Sequence, residues 1–192
     1  MYIAVIGWGS LIWSPDSLQL ASRWRRDGPL LPVEFARISS DGRLTLVIHP
    51  TAQSVQTLWA IATATELTDA CKNLQDREGT TAARINSATA AGAFSEEVPA
   101  DVQDAIAQWL ALHRTVDACV WTGLPSNWME KRGKPYSADD AVLYLAGLHD
   151  SRRAREYVQN APAQIESAAR RAIRAQFGWT NAILPDNLFD NV

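Results

Sequence analysis

The chain has 192 residues, with 18 Lys and Arg against 21 Asp and Glu and a formal net charge of −3. Hydrophobic residues at 47% and charged residues at 20% exclude a mainly disordered chain, a collagen-like repeat and a coiled coil. The charge balance lacks the global basic footprint of a nucleic-acid binder, and the length suits a single domain over 1–192.

The N-terminal run Met1 to Trp8 is apolar and rich in β-branched residues, and Gly7 and Gly9 end it; it reads as a buried strand followed by a tight loop. No basic segment precedes that run and no stretch approaches the ~20 apolar residues of a membrane span, so a cytoplasmic protein with no membrane partner is expected. Pro32 to Ser39 and Arg43 to His49 read as a hairpin around Asp41-Gly42. Thr57 to Thr65 is a further strand. A helix capped by Thr65 or Thr68 runs to about Gln75, with Leu67, Ala70, Cys71 and Leu74 on one face. Residues 80–94 fit no single element. Pro99 to Arg114 is a helix that buries Val102, Ile106, Trp109 and Leu110, with Pro99 in its first turn.

Val116 to Thr122 is a strand, residues 129–137 are loop, and three helices follow over Ser137 to Leu148, Ser151 to Asn160 and Ala163 to Phe177. The tail over 184–192 reads as a surface arm. The arginines at 23–26, 152–155 and 170–174 read as solvated faces. Strands come first and helices mostly last, which favours an α+β domain over a doubly wound α/β fold. Two cysteines, Cys71 and Cys119, are too few for a disulfide framework or a four-thiolate zinc site. His49, His113 and His149 have no ligand-like spacing, so no metal site is expected.

The loop Gly7-Trp8-Gly9-Ser10-Leu11 carries the first chemical signal. Glycines in a strand-end turn allow positive φ and let a ligand approach the backbone. Successive N–H groups there form a concave site for a carboxylate or phosphate, and Ser10 adds a hydroxyl. A dinucleotide fingerprint would need glycine at position 12, where Ile12 stands, and a βαβ unit, where a hairpin follows. Ser10 lacks a His-Asp partner pattern for a nucleophile. The second signal is Leu74-Gln75-Asp76-Arg77-Glu78-Gly79, which places Glu78 where a helix gives way to a loop, a common position for a side chain that points into a site.

Together these segments resemble the γ-glutamylcyclotransferase superfamily. Ile6-Gly7-Trp8-Gly9-Ser10-Leu11-Ile12-Trp13 is similar to the signature loop of its ChaC-like branch, Gly-Tyr-Gly-Ser-Leu-Ile-Trp, with Trp8 in place of Tyr. Asp76-Arg77-Glu78-Gly79 looks like the segment that carries the family's catalytic glutamate. Glu34-Phe35-Ala36-Arg37 and Ala154-Arg155-Glu156-Tyr157 look like two further segments of that branch.

The resemblance implies a mixed β-barrel or curled sheet flanked by helices, acting without metal or cofactor. The implied activity is cyclisation of a γ-glutamyl amine or peptide to 5-oxoproline with release of the amine. It implies Glu78 as the catalytic acid/base and Trp8, Gly9, Ser10 and Leu11 as substrate-binding residues. Members of the family often carry a Tyr after the Glu-Gly pair; Thr80 to Asn86 contains none, and Arg84 is the residue there that suits a substrate carboxylate. The partner is then a small molecule and the protein a monomer or homodimer. The alternatives are a non-catalytic carboxylate-binding or regulatory module of the same fold, and a γ-glutamyl or acyl transferase that uses the same loop.

Overall fold

A computed structural model describes residues 1–190. Its first element, β1 (Ile3–Gly7), has no polar residue and is buried along its whole length. Such a strand needs neighbours on both edges to satisfy its backbone groups, and it has them. In chain order there follow β2 (Leu30–Leu31), β3 (Val33–Ile38), β4 (Leu44–Ile48), β5 (Val55–Gln56), β6 (Leu58–Ile61), α1 (Leu67–Glu78), β7 (Ile85–Thr89), α2 (Ala100–Leu112), β8 (Ala118–Thr122), α3 (Trp128–Arg132), α4 (Ala138–Ala146), α5 (Arg152–Asn160) and α6 (Ala168–Phe177). β6 pairs antiparallel with one edge of β1, and β8 runs parallel along the other. β7 lies antiparallel on β8, which completes a four-stranded sheet of order β6-β1-β8-β7.

Two two-stranded sheets stand beside it, β2 with β5 and β3 with β4. The chain is thus a mixed α+β fold with six helices among the described residues, and none of the three sheets closes into a barrel. The β3–β4 pairing follows the Asp41-Gly42 turn read from the sequence, with Ile38 opposite Leu44 and Gly42 at φ 82°. Between Glu34 and Arg37 the register shifts. Glu34, before the bulge, is buried, and Arg37, after it, lines a cavity.

α1 buries Ala70 and Leu74 and packs on β8, β7 and β1. α5 packs on β4, α6 on β3, and α4 on α6. One continuous apolar core joins sheet, hairpin and helices. Each large side chain withdrawn from water there contributes about 1.5–3 kcal/mol.

Several boundaries differ from the sequence expectation. α1 continues past Gln75 to Glu78, because Gly79 at φ 58° closes the helix with its N–H returned to Asp76. Pro99 is the cap of α2 and not its first helical residue. Residues 129–137 are not all loop, since α3 is anchored by the buried Trp128. α6 begins at Ala168, after Ser167 caps it by accepting from the Arg170 N–H. Arg170 is no solvated charge: it is 1% exposed and donates to the carbonyls of Val158, Ala161, Pro162 and Ile165.

The tail is not a free arm either. Phe189 is buried and bridges to Trp24, Asp190 pairs with Arg25 at 2.9 Å, and the Arg26 guanidinium lies 4.2 Å from the Phe189 ring centroid. The last two residues of that expected arm, 191 and 192, lie outside the described residues. No helix among the described residues is long and apolar enough to cross a membrane.

Candidate functional site

The site begins where β1 ends. After Gly7 the chain turns, with the Ile12 N–H on the Gly9 carbonyl at 3.1 Å and the Ser14 N–H on the Ser10 carbonyl at 2.9 Å. The Gly9 and Leu11 N–H groups have no partner in these turns. The sequence reading expects the loop glycines to supply positive φ. They do not: the positive-φ glycines among the described residues are Gly42, Gly79, Gly92, Gly133 and Gly178. The requirement is space. A Cβ on Gly7 would lie 2.8 Å from the Trp24 ring, and one on Gly9 would lie 2.6 Å from the Tyr157 hydroxyl.

Glu78 reaches the same place from α1. Arg77 donates from Nη1 to Glu78 Oε1 at 2.5 Å, and from Nη2 to Ser10 Oγ at 3.1 Å and to the Ser14 carbonyl at 2.6 Å. One guanidinium therefore ties the two segments singled out in the sequence, although 67 residues separate Arg77 from Ser10. Both partners are largely withdrawn from solvent, with side-chain exposures of 9% for Arg77 and 14% for Glu78. At such sites the ion pair is screened less by salt than a surface pair.

Trp8, Gly9, Ser10, Leu11 and Glu78 line one chamber of about 230 Å³. That is below the ~300–1,000 Å³ of sites for drug-sized ligands, and suits a single amino-acid-sized group. Trp8 is a wall, and its indole N–H is spent on the Leu46 carbonyl at 3.2 Å. Arg84 is not in the chamber: it is exposed on a single 3₁₀ turn, Ala82–Arg84, and lines a second cleft with Thr80 and Thr81.

Other side chains complete the wall. Tyr157 of α5 is buried beneath Gly9, edge-on to Trp13 and Phe35, and accepts from the Leu46 N–H at 3.5 Å. Burial pushes its phenol up to about 12, and the nearby Glu78 charge adds to this, so it stays neutral over the ordinary pH range. Arg43 lies 2.9 Å from Asp41; burial opposes ionisation of Asp41, but the Ser39 and Arg43 hydrogen bonds outweigh it and hold its carboxyl at about 2. Arg37 donates to the Pro125 carbonyl at 2.7 Å and has no carboxylate partner among the described residues. The Thr122 hydroxyl and the Arg77 Nε, both buried, have no partner at all. Buried polar groups are nearly always hydrogen-bonded, so orphans on a cavity wall mark where a ligand would bind.

Tyr157, Arg37 and Arg43 escaped the sequence reading as site residues. The signals were an Arg in the β3 strand of the hairpin and a Tyr within the Ala-x-Glu-Tyr segment. The segment Trp121 to Trp128 is divided in use. Thr122 and Leu124 face the chamber, whereas Ser126 and Asn127 bind the Ala36 and Ile38 backbone and fasten the hairpin. His113 lies elsewhere, against Asp27 at 3.1 Å and stacked on Trp109. No cluster of three or more His, Cys, Asp or Glu suited to a metal occurs among the described residues. Comparison with protein-family models, with curated proteins and with solved structures found no match.

Proposed function

We propose that this protein is γ-glutamylcyclotransferase-like in fold and activity, cyclising a γ-glutamyl amine or peptide to 5-oxoproline. The observation that carries this reading is the Arg77 bridge, which brings Glu78 and the Ser10 loop onto one chamber sized for a glutamyl group.

In the proposed reaction, Glu78 takes a proton from the substrate α-ammonium and frees the amine. The amine nitrogen attacks the γ-carbonyl carbon, forming the C–N bond of the five-membered lactam, and the carbonyl electron pair moves onto oxygen. Collapse of that oxyanion breaks the original amide bond; Glu78 returns its proton to the departing nitrogen, and the ring nitrogen gives up its second proton to the released amine, which leaves as an ammonium. The reaction is intramolecular, so most of the acceleration comes from holding the chain folded on itself. The free N–H groups of Gly9 and Leu11 suit the developing oxyanion. Tyr157, as a neutral phenol, serves as a hydrogen-bonding wall and not as a base.

The test is incubation with γ-glutamyl dipeptides, γ-glutamyl amines and glutathione, with 5-oxoproline read by mass spectrometry. Turnover is expected, and Glu78→Gln is expected to lower kcat about 10²–10⁴-fold. Turnover that survives Glu78→Gln intact removes Glu78 from the role of base. Binding of γ-glutamyl compounds without turnover of any would assign the chamber to a carboxylate-binding module.

A further inference from the structure

The chamber opens into two clefts whose charges are balanced differently. The first, of about 750 Å³, shares Ser10, Arg43, Arg77 and Tyr157 with the chamber. Each arginine lining it is already matched: Arg43 and Arg153 lie 2.9 and 3.4 Å from Asp41, and Arg77 is on Glu78. The second, of about 880 Å³, shares Arg37, Ser39 and Leu124 with the chamber. Its Lys131 is paired with Glu130 at 3.4 Å, but Arg37 and Arg84 have no carboxylate partner among the described residues.

Two unmatched guanidinium groups thus line the second cleft, Arg37 at the wall it shares with the chamber and Arg84 within the cleft itself. Thr80 and Thr81 add hydroxyls to the same cleft. Guanidinium groups are always charged and match carboxylates bidentately, so a concave surface with two of them spare favours an anion. Its volume is that of a site for a dipeptide-sized ligand.

We propose that this second cleft receives the leaving half of the substrate and selects one that carries two carboxylates, such as an acidic amino acid or an acidic dipeptide. The glutamyl head occupies the chamber, and the leaving half runs past Arg37 toward Arg84. This proposal rests on the γ-glutamyl reading of the chamber, and its test separates the two. γ-Glutamyl-glutamate, γ-glutamyl-alanine and γ-glutamyl-lysine are titrated calorimetrically into the Glu78→Gln protein, which needs no turnover. In parallel, KM is measured for the unmodified protein.

The acidic compound is expected to bind about tenfold more tightly than the alanine compound, with the lysine compound weakest and the contrast shrinking in high salt. Arg84→Glu is expected to reverse the order. Equal affinities for the three compounds, no binding of any, or a preference unchanged in Arg84→Glu would overturn the proposal. An acidic preference in binding with no 5-oxoproline from any compound would uphold the cleft's selectivity and overturn the reaction.

Discussion

Glu34 and Glu78 are both drawn out of solvent, one within the fold and one on the wall of the chamber. Glu34 accepts from the Ser167 hydroxyl, the Ala169 N–H and its own neighbour's Phe35 N–H, so its charge is consumed in starting α6. It is 2% exposed and lines no cavity described above. Glu78 has one protein partner, Arg77, and faces a chamber with an orphan hydroxyl and an unmatched Arg37. A structural carboxylate is saturated by the fold, whereas a carboxylate in a site keeps capacity for something the fold does not supply.

That contrast predicts opposite consequences of mutation. Beyond the loss of turnover in Glu78→Gln, the largest expected effect is on stability at Glu34. Glu34→Ala strands three buried donors and leaves a void, and should lower the unfolding free energy by about 3 kcal/mol in urea titration. Glu34→Gln keeps one acceptor and should cost about 1 kcal/mol. If Glu34→Ala is harmless to stability, the contrast between the two glutamates fails.

Next in size is the loop. Gly9→Ala drives a methyl to 2.6 Å from the Tyr157 hydroxyl and should cost about 2 kcal/mol, read by thermal or urea unfolding. The next contact from that position, Tyr157 Cζ, is at 3.7 Å, so Tyr157→Phe should recover most of the loss in the double variant. An additive double variant would show that the hydroxyl is not what requires glycine.

The smallest effect is in the pH dependence. The Tyr157 phenol is raised from 10 to about 12, so its neutral form is favoured by folding. Its contribution to stability is complete below pH 10 and is lost as pH rises toward 12. Ultraviolet titration of the native protein should show one tyrosine ionising near 12 that disappears in Tyr157→Phe. A native phenol titrating near 10 at this position would mean that the wall of the chamber is open to water.

Much of this was legible in the chain itself. The all-apolar β1, the Asp41-Gly42 hairpin and the buried face of α2 follow from periodicity and turn chemistry, because those signals are local. Trp13 on Tyr157, Trp109 in the helix core and Trp8 beside the loop fall where their sequence neighbourhoods suggest. Trp24 had no such neighbourhood. It packs under Gly7 and bridges to Phe189, a partner 165 residues away from it that no local pattern reveals. Arg170 was misread for the same reason, since a charge cluster on a helix does not disclose which member faces four open carbonyls.

By itself the sequence determined the α+β character and the two segments that carry Glu78 and Ser10, because each depends on neighbours in the chain. Only the tertiary structure decided which arginines serve that site. Arg77 joins it, Arg37 enters it from β3, Arg84 lies in the next cleft and Arg170 holds the far end of α5. A guanidinium reaches several ångströms in any direction from its backbone, so its role is settled by the acceptors that folding brings within hydrogen-bonding distance.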